Sequence, residues 1–173
     1  QIQDENKLEI SGYTLDDPNV VLNPYEISPL TALVIFETDE EVSPEVTIHG
    51  DSDLTTYTHT FAKGTEHYLP IYGLYAGREN KVTIKCGDEE KELTIKTDEL
   101  PDDFILPTSV KKDESKLNND LYFYTPSSFG YTAAYDVNGD VRWYLTESAI
   151  WEINRLDNGR LLVSTERLAE VPY

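Results

Sequence analysis

Two asparagine-glycine steps, Asn138-Gly139 and Asn158-Gly159, each stand between short alternating runs, and they constrain the fold more than any other feature. In the stretch Tyr131 to Leu145, Ala133, Tyr135 and Val137 alternate with Thr132, Ala134 and Asp136. Beyond the turn, Val141, Trp143 and Leu145 alternate with Arg142 and Tyr144. Asn-Gly tolerates the positive φ angles of a two-residue hairpin turn, so this stretch reads as two antiparallel strands. Ile150 to Thr165 repeats the pattern, with Asp157-Asn158-Gly159 at its turn. Two hairpins in tandem predict a four-stranded antiparallel sheet, the size of one β-propeller blade.

The rest of the chain is also strand-like. The whole chain has twelve tyrosines and scattered prolines, and no segment sustains apolar spacing at i, i+3, i+4, i+7. Strands are expected at Leu8 to Leu15, Leu30 to Thr38, Pro44 to His49, Tyr57 to Phe61, His67 to Ile71, Lys81 to Cys86, Lys91 to Thr97 and, ahead of the paired hairpins, Leu121 to Thr125, with a short apolar step at Val20 to Leu22. Gly50-Asp51-Ser52-Asp53 and Gly87-Asp88 supply turn chemistry. Gly73 to Asn80 reads as a corner where the chain passes between sheets. So many short strands in under a hundred residues fit an immunoglobulin-like β-sandwich over 1–97, without the Cys…Trp…Cys spacing of antibody domains. Asp98 to Asn119, with Pro101, Pro107 and the charged run Lys111-Lys112-Asp113-Glu114, reads as an extended linker, and 120–173 as the first blade of a propeller. One blade alone would expose an apolar face bearing Trp143, Leu145 and Leu161, which predicts association, partial disorder or packing on the sandwich. Blades bury their faces against neighbours, and the chain starts at Gln1 without any methionine, so a piece of a larger, processed protein is expected.

Charge and motif content narrow the function. A formal charge of −19 lacks the cationic footprint that phosphate backbones require, so no nucleic-acid partner is expected. No apolar run approaches the roughly 20 residues needed to span a bilayer. Cys86, the single cysteine, lies in an alternating run and is expected to be a buried, inert thiol. Asp136-Val137-Asn138-Gly139-Asp140, with Glu147 at the twelfth position, imitates a calcium loop. Val141 stands where that loop needs glycine, so the hairpin turn is the better reading and no metal is assigned. His49, His59 and His67 fall on separate strands or strand ends without metal-ligand spacing. There is no Gly-x-Ser-x-Gly turn and no glycine-rich loop before a helix. Arg142, Arg155, Arg160 and Arg167 could meet sulfate or phosphate esters, but near-turn arginines are expected at strand edges, paired with acids such as Glu152 and Glu166.

Several short sequences carry a family resemblance. Asn23-Pro24-Tyr25 with Pro29-Leu30-Thr31-Ala32, then Leu69-Pro70-Ile71-Tyr72-Gly73-Leu74-Tyr75 with Asn80, resemble the N-terminal domain of bacterial aryl-sulfate sulfotransferases. Asp136, Gly139 and Val141-Arg142-Trp143-Tyr144 resemble the opening blade of the same family, although Asp-x-x-Gly-x-x-x-Trp alone occurs in many propellers. The resemblance implies an extracytoplasmic, homodimeric six-bladed propeller enzyme with an N-terminal sandwich. It implies transfer of a sulfuryl group from a phenolic sulfate ester to a phenol through a sulfohistidine, with no nucleotide donor and no cofactor. Catalytic positions of the family belong to later blades, and none of His49, His59 or His67 matches one. No catalytic residue is therefore assigned, and this segment is expected to be inactive by itself. A different class of reading is a non-enzymatic surface protein with a ligand-binding propeller and an adhesion or dimerisation sandwich.

Overall fold

The computed structural model describes residues 10–126, 130–146, 149–155 and 161–165. Twelve strands carry the fold, with two short 3-10 turns among the described residues. The first seven are β1 (Asn19–Leu22), β2 (Thr31–Val42), β3 (Glu45–Ile48), β4 (Tyr57–Thr60), β5 (Gly64–Tyr72), β6 (Glu79–Cys86) and β7 (Glu89–Lys96). They form two antiparallel sheets, ordered β1-β2-β5 and β4-β3-β6-β7. Chain-sequential strands thus change sheet between β2 and β3, β4 and β5, and β5 and β6, the connectivity of an immunoglobulin-like Greek key.

Alternation explains why these segments become strands. Along β6, Asn80, Val82, Ile84 and Cys86 point inward while Glu79, Lys81 and Lys85 face solvent. In β5, His67, Leu69 and Ile71 take the inner face. β2, the central strand of its sheet, is buried more continuously, through Thr31, Ala32, Val34, Ile35 and Phe36. Between the sheets, Leu30, Val34, Phe36, Val46, Leu69, Ile71, Leu74, Val82 and Ile84 form one apolar cluster. At about 25 cal/mol per Å² of apolar surface removed from water, such a layer is the main stabilising term of a small sandwich.

Leu8 to Leu15 departs from its expected strand. Residues 1–9 lie outside the described residues, Ile10 to Tyr13 turns about Gly12 at φ +92°, and Thr14 makes only an isolated parallel bridge to Glu37. The connection from β1 to β2 is organised by Asn23. Its backbone sits at φ 44° and its side-chain oxygen accepts the Ser28 N–H at 2.9 Å, an asparagine turn of the kind that residue tolerates.

After β7, residues 98–119 form little regular structure beyond a 3-10 turn at Glu114–Lys116, yet they are not wholly solvated. Leu100 and Phe104 pack against the sandwich cluster, and Phe104 stacks on Tyr131 with centroids 5.1 Å apart. A meander follows, of β8 (Tyr122–Tyr124), β9 (Ala133–Tyr135) and β10 (Val141–Tyr144), ordered β10-β9-β8. Last come β11 (Ala149–Arg155) and β12 (Leu161–Thr165), an antiparallel pair whose connecting turn lies outside the described residues. The expected four-stranded sheet is therefore replaced, among the described residues, by a three-stranded and a two-stranded one. Tyr122–Tyr124 falls within the strand expected at Leu121 to Thr125 and pairs with β9, while the far edge of β10 carries no strand among the described residues.

The loop of the first hairpin is also one residue longer than expected. Asp136 N–H donates to the Asp140 carbonyl at 3.0 Å and Gly139 N–H to the Asp136 carbonyl at 2.9 Å, leaving a three-residue loop. Only Gly139, at φ +84°, needs the left-handed region, as in three-residue hairpins that end in a glycine bulge. The meander is seated on the sandwich. Ala133, Val141 and Tyr144 join the sandwich cluster, while Ala134, Trp143 and Leu145 pack on the other face with Ile27 and Leu121. Of the expected outcomes for its apolar residues, packing on the sandwich cluster is observed for Ala133, Val141 and Tyr144, whereas Trp143 and Leu145 are buried in a separate small cluster with Ala134, Ile27 and Leu121. The Leu161 side chain lies outside the described residues.

Candidate functional site

The most constrained polar site of the described chain is centred on Arg142, where the meander meets the sandwich. Val141 pairs with Tyr135 and Trp143 with Ala134, so Arg142 is the extra residue of a β-bulge. A bulge re-aims a side chain out of the normal alternation, and here β10 is buried on both faces. The Arg142 side chain has no exposed surface. Its Nη1 lies 3.1 Å from Asp136 Oδ2 and donates to the Thr55 carbonyl at 2.9 Å, while Nε donates to the Gly73 carbonyl at 2.8 Å. The guanidinium lies 3.7 Å above the Tyr75 ring and 4.8 Å from that of Tyr57. Nη2 and the phenol oxygens of Tyr57 and Tyr75 are buried with no hydrogen-bond partner among the described residues. One edge and the faces of the guanidinium therefore hold it, the geometry arginine offers and lysine does not.

Each partner is fixed by local chemistry. Asp136 Oδ1 accepts the N–H groups of Asn138 at 2.8 Å and Asp140 at 3.2 Å, so the loop itself aims Oδ2 at Arg142. Thr55 belongs to a 3-10 turn, Asp53–Thr55, whose Ser52 and Thr55 bond reciprocally. Gly73 and Tyr75 lie on the expected corner between the sheets, which the structure confirms, with Gly73 at φ +91°. Asn80 clamps that corner. Its Oδ1 accepts Tyr75 N–H at 2.8 Å, and its Nδ2 donates to the carbonyls of Tyr75, Arg78 and Ile95 at 3.1 to 3.2 Å. Arg78, paired with Asp51 at 3.2 Å, lies 3.4 Å over the Tyr75 ring. Two guanidinium groups so close to one centroid cannot share a face without overlap, so Tyr75 is sandwiched between Arg78 and Arg142.

The electrostatics suit a structural anchor. Tyr57 is pushed up to about 12, chiefly by burial, with Arg142 opposing and Asp136 reinforcing the shift. It is a neutral phenol at physiological pH and cannot serve as a phenolate base. Burial, then the charges of Asp136 and Asp51, raises Asp140.

The remaining candidates do not converge. His67 is buried on β5 against Phe36 and bonds Thr38 Oγ1 at 2.9 Å, and burial lowers its pKa. His49 bonds Thr83 Oγ1 at 2.8 Å, and His59 meets the edge of Phe61. Cys86 is buried as expected, its thiol pushed up by burial and then by Glu89, which makes it a poor nucleophile. Both oxygens of Asp136 are engaged by donors, so its loop is a turn and an arginine anchor. Among the described residues no group of three or more His, Cys, Asp or Glu could hold a metal ion. Arg142 overturns the expectation of an edge position, because its charge is met inside by Asp136 and two carbonyls. The side chains of Arg155, Arg160 and Arg167, and Glu147, lie outside the described residues. Two open concavities of about 250 and 260 Å³ present no converging catalytic set: the first is lined by the acids Glu37, Asp39 and Glu66 beside Tyr13, the second by charges of both signs, among them Glu45, Lys81, Lys85 and Glu90, beside His49.

Comparison with known proteins gives the arrangement a family. Residues 19–99 match the model of the arylsulfotransferase Ig-like domain, and residues 107–173 match that of the arylsulfotransferase (ASST) itself. The chain belongs to the arylsulfotransferase family. Among curated proteins it is 29% identical over 94 residues to an arylsulfate sulfotransferase AssT of Lelliottia amnigena, and 30% identical over 95 residues to one of Escherichia coli O6:H1 (strain CFT073). Each match takes in 52% of this chain and 14% of the relative, so the matched stretch is a small part of those proteins. Five of the residues that carry the resemblance in the sequence meet in space. Gly73, Tyr75 and Asn80 of the Ig-like arylsulfotransferase domain and Asp136 and Arg142 of the following region form one contact set.

Proposed function

We propose that this chain is the scaffold end of an aryl-sulfate sulfotransferase, a protein that moves a sulfuryl group from a phenolic sulfate ester to a phenol. The observation carrying this reading is the succession of the two arylsulfotransferase family matches, Ig-like domain first, along most of the chain. On this reading 1–97 is the sandwich, 98–119 the linker and 120–173 the opening of a β-propeller. The three histidines of the chain are engaged in structural contacts, and the buried Cys86 is unreactive, so the transferring group is supplied by residues outside this segment. The chemistry is a double displacement: a histidine attacks sulfur, the phenolate leaves, and the acceptor phenol then takes the sulfuryl group from the sulfohistidine. The protein works outside the cytoplasm as a homodimer, and the segment alone is inactive. No helix among the described residues is long and apolar enough to cross a membrane.

The test is to incubate the full-length protein with 4-nitrophenyl sulfate, without acceptor, and to map its peptides by mass spectrometry. A sulfuryl group on a histidine outside 1–173 is expected. Turnover with no such adduct under rapid quenching, or an adduct on His49, His59 or His67, would contradict the reading.

A further inference from the structure

We infer that Arg142 is a docking pin that makes the sandwich the folding platform of the β8–β10 sheet and fixes that sheet in one orientation. The inference rests on the junction alone and is independent of the transferase reading. The pin and its counter-ion come from a single hairpin, since Asp136 and Arg142 flank the same loop. The loop fixes Asp136 through the N–H groups of residues 138 and 140, so the pair can form before the sheet docks. The socket comes from the sandwich, 69 and 87 residues away, as the carbonyls of Gly73 and Thr55 and the faces of Tyr75 and Tyr57.

The socket is shaped without the pin. Asn80 holds the Tyr75 backbone, and Arg78, tied to Asp51, backs the far face of the ring. Apolar contacts such as those of Val141 and Tyr144 attract the sheet to the sandwich but tolerate sliding. A buried guanidinium does not. Displaced from the carbonyls, it leaves a desolvated cation with unmet donors, which penalises every misdocked arrangement. The planar fork also permits few orientations that satisfy Asp136 and both carbonyls together.

The test uses urea unfolding of the 173-residue chain with two probes. Trp143 and Trp151 are its only tryptophans, and both follow the sandwich in sequence, so fluorescence reads the C-terminal sheets. Far-UV circular dichroism reads chiefly the seven sandwich strands. In the unmodified chain the two transitions should coincide. In Arg142→Met the fluorescence transition should move to lower urea and separate from the dichroism, the docking equilibrium falling about 100-fold or more. Arg142→Lys should fail to restore coincidence, whereas Val82→Ala in the sandwich core should shift both probes together. Coincident transitions in Arg142→Met, or full rescue by lysine, would overturn the assignment. Should Arg142→Met not yield folded protein, amide exchange of the unmodified chain decides. Protection of Val141 to Tyr144 equal to that of β6 is expected, and exchange there faster by a hundredfold would overturn it.

Discussion

Asp136 Oδ2 and Arg142 Nη1 meet at 3.1 Å with neither side chain exposed, across a hairpin whose bulge turns the arginine into the protein. Removing one member of such a pair leaves the other charge buried without compensation, at a cost of about 3–5 kcal/mol. Asp136→Asn should therefore lose about 3 kcal/mol or more in urea unfolding. The double variant Asp136→Asn with Arg142→Met should be more stable than Asp136→Asn alone, because no buried charge is then left over. Additive losses would show that the two residues act separately.

Gly50 shapes the same socket from beneath. A Cβ at this position would lie 2.1 Å from the Thr55 carbonyl oxygen, the acceptor that Arg142 uses. Gly50→Ala must push that carbonyl aside and is expected to cost about 1–3 kcal/mol, as overpacking does. Thermal unfolding of the variant, with tryptophan emission followed alongside far-UV circular dichroism, checks both the loss and its location.

Asn80→Ala should be among the most damaging single changes in the sandwich. It strands the buried Tyr75 N–H, at a cost of about 1–3 kcal/mol, and removes a donor from the Ile95 carbonyl and from the Tyr75 and Arg78 carbonyls, which keep Thr97 as a donor. Asn80→Asp keeps the acceptor for Tyr75 N–H but places a carboxylate oxygen against those carbonyls, so it should not rescue. The urea midpoints of the two variants test this.

Much of this architecture was legible in the chain. β5, β6 and β7 follow period-two alternation, and the corner at Gly73 to Asn80 announces itself through its glycines. The Asn-Gly step located the first hairpin, but hydrogen bonding between Asp136 and Asp140 lengthened the loop. The strand at Tyr122–Tyr124 was legible as well, but its partner was not: the first hairpin pairs through β9 with β8, and β11 and β12 form a separate pair among the described residues, because alternation marks strands without naming their neighbours. Arg142 was misplaced for a related reason. A charge on a strand reads as exposed, and its burial depends on carbonyls contributed 69 and 87 residues earlier. The signal available was Asp136, an acid held six residues before it on the opposite side of a turn. The linker's Phe104, between two charged stretches, likewise gave no hint that it stacks on Tyr131.

The pH dependence of stability should carry the mark of His67. Burial lowers its folded pKa below the ordinary 6.5. Between the folded value and 6.5 the unfolded chain binds more protons, so this histidine's contribution is full above pH 6.5 and is lost as pH falls through the folded pKa. His67→Gln should flatten that part of the curve relative to the unmodified chain in urea unfolding across pH 5 to 7.5, roughly the range in which histidine titrates. Parallel curves for the two proteins would contradict it.

The most direct measurement is the fate of 4-nitrophenyl sulfate with the full-length protein that carries this chain. Sulfuryl transfer predicts nitrophenolate release that depends on added phenol, with phenyl sulfate formed in equal amount. Release at the same rate into water alone, or no release from correctly folded protein, would contradict it.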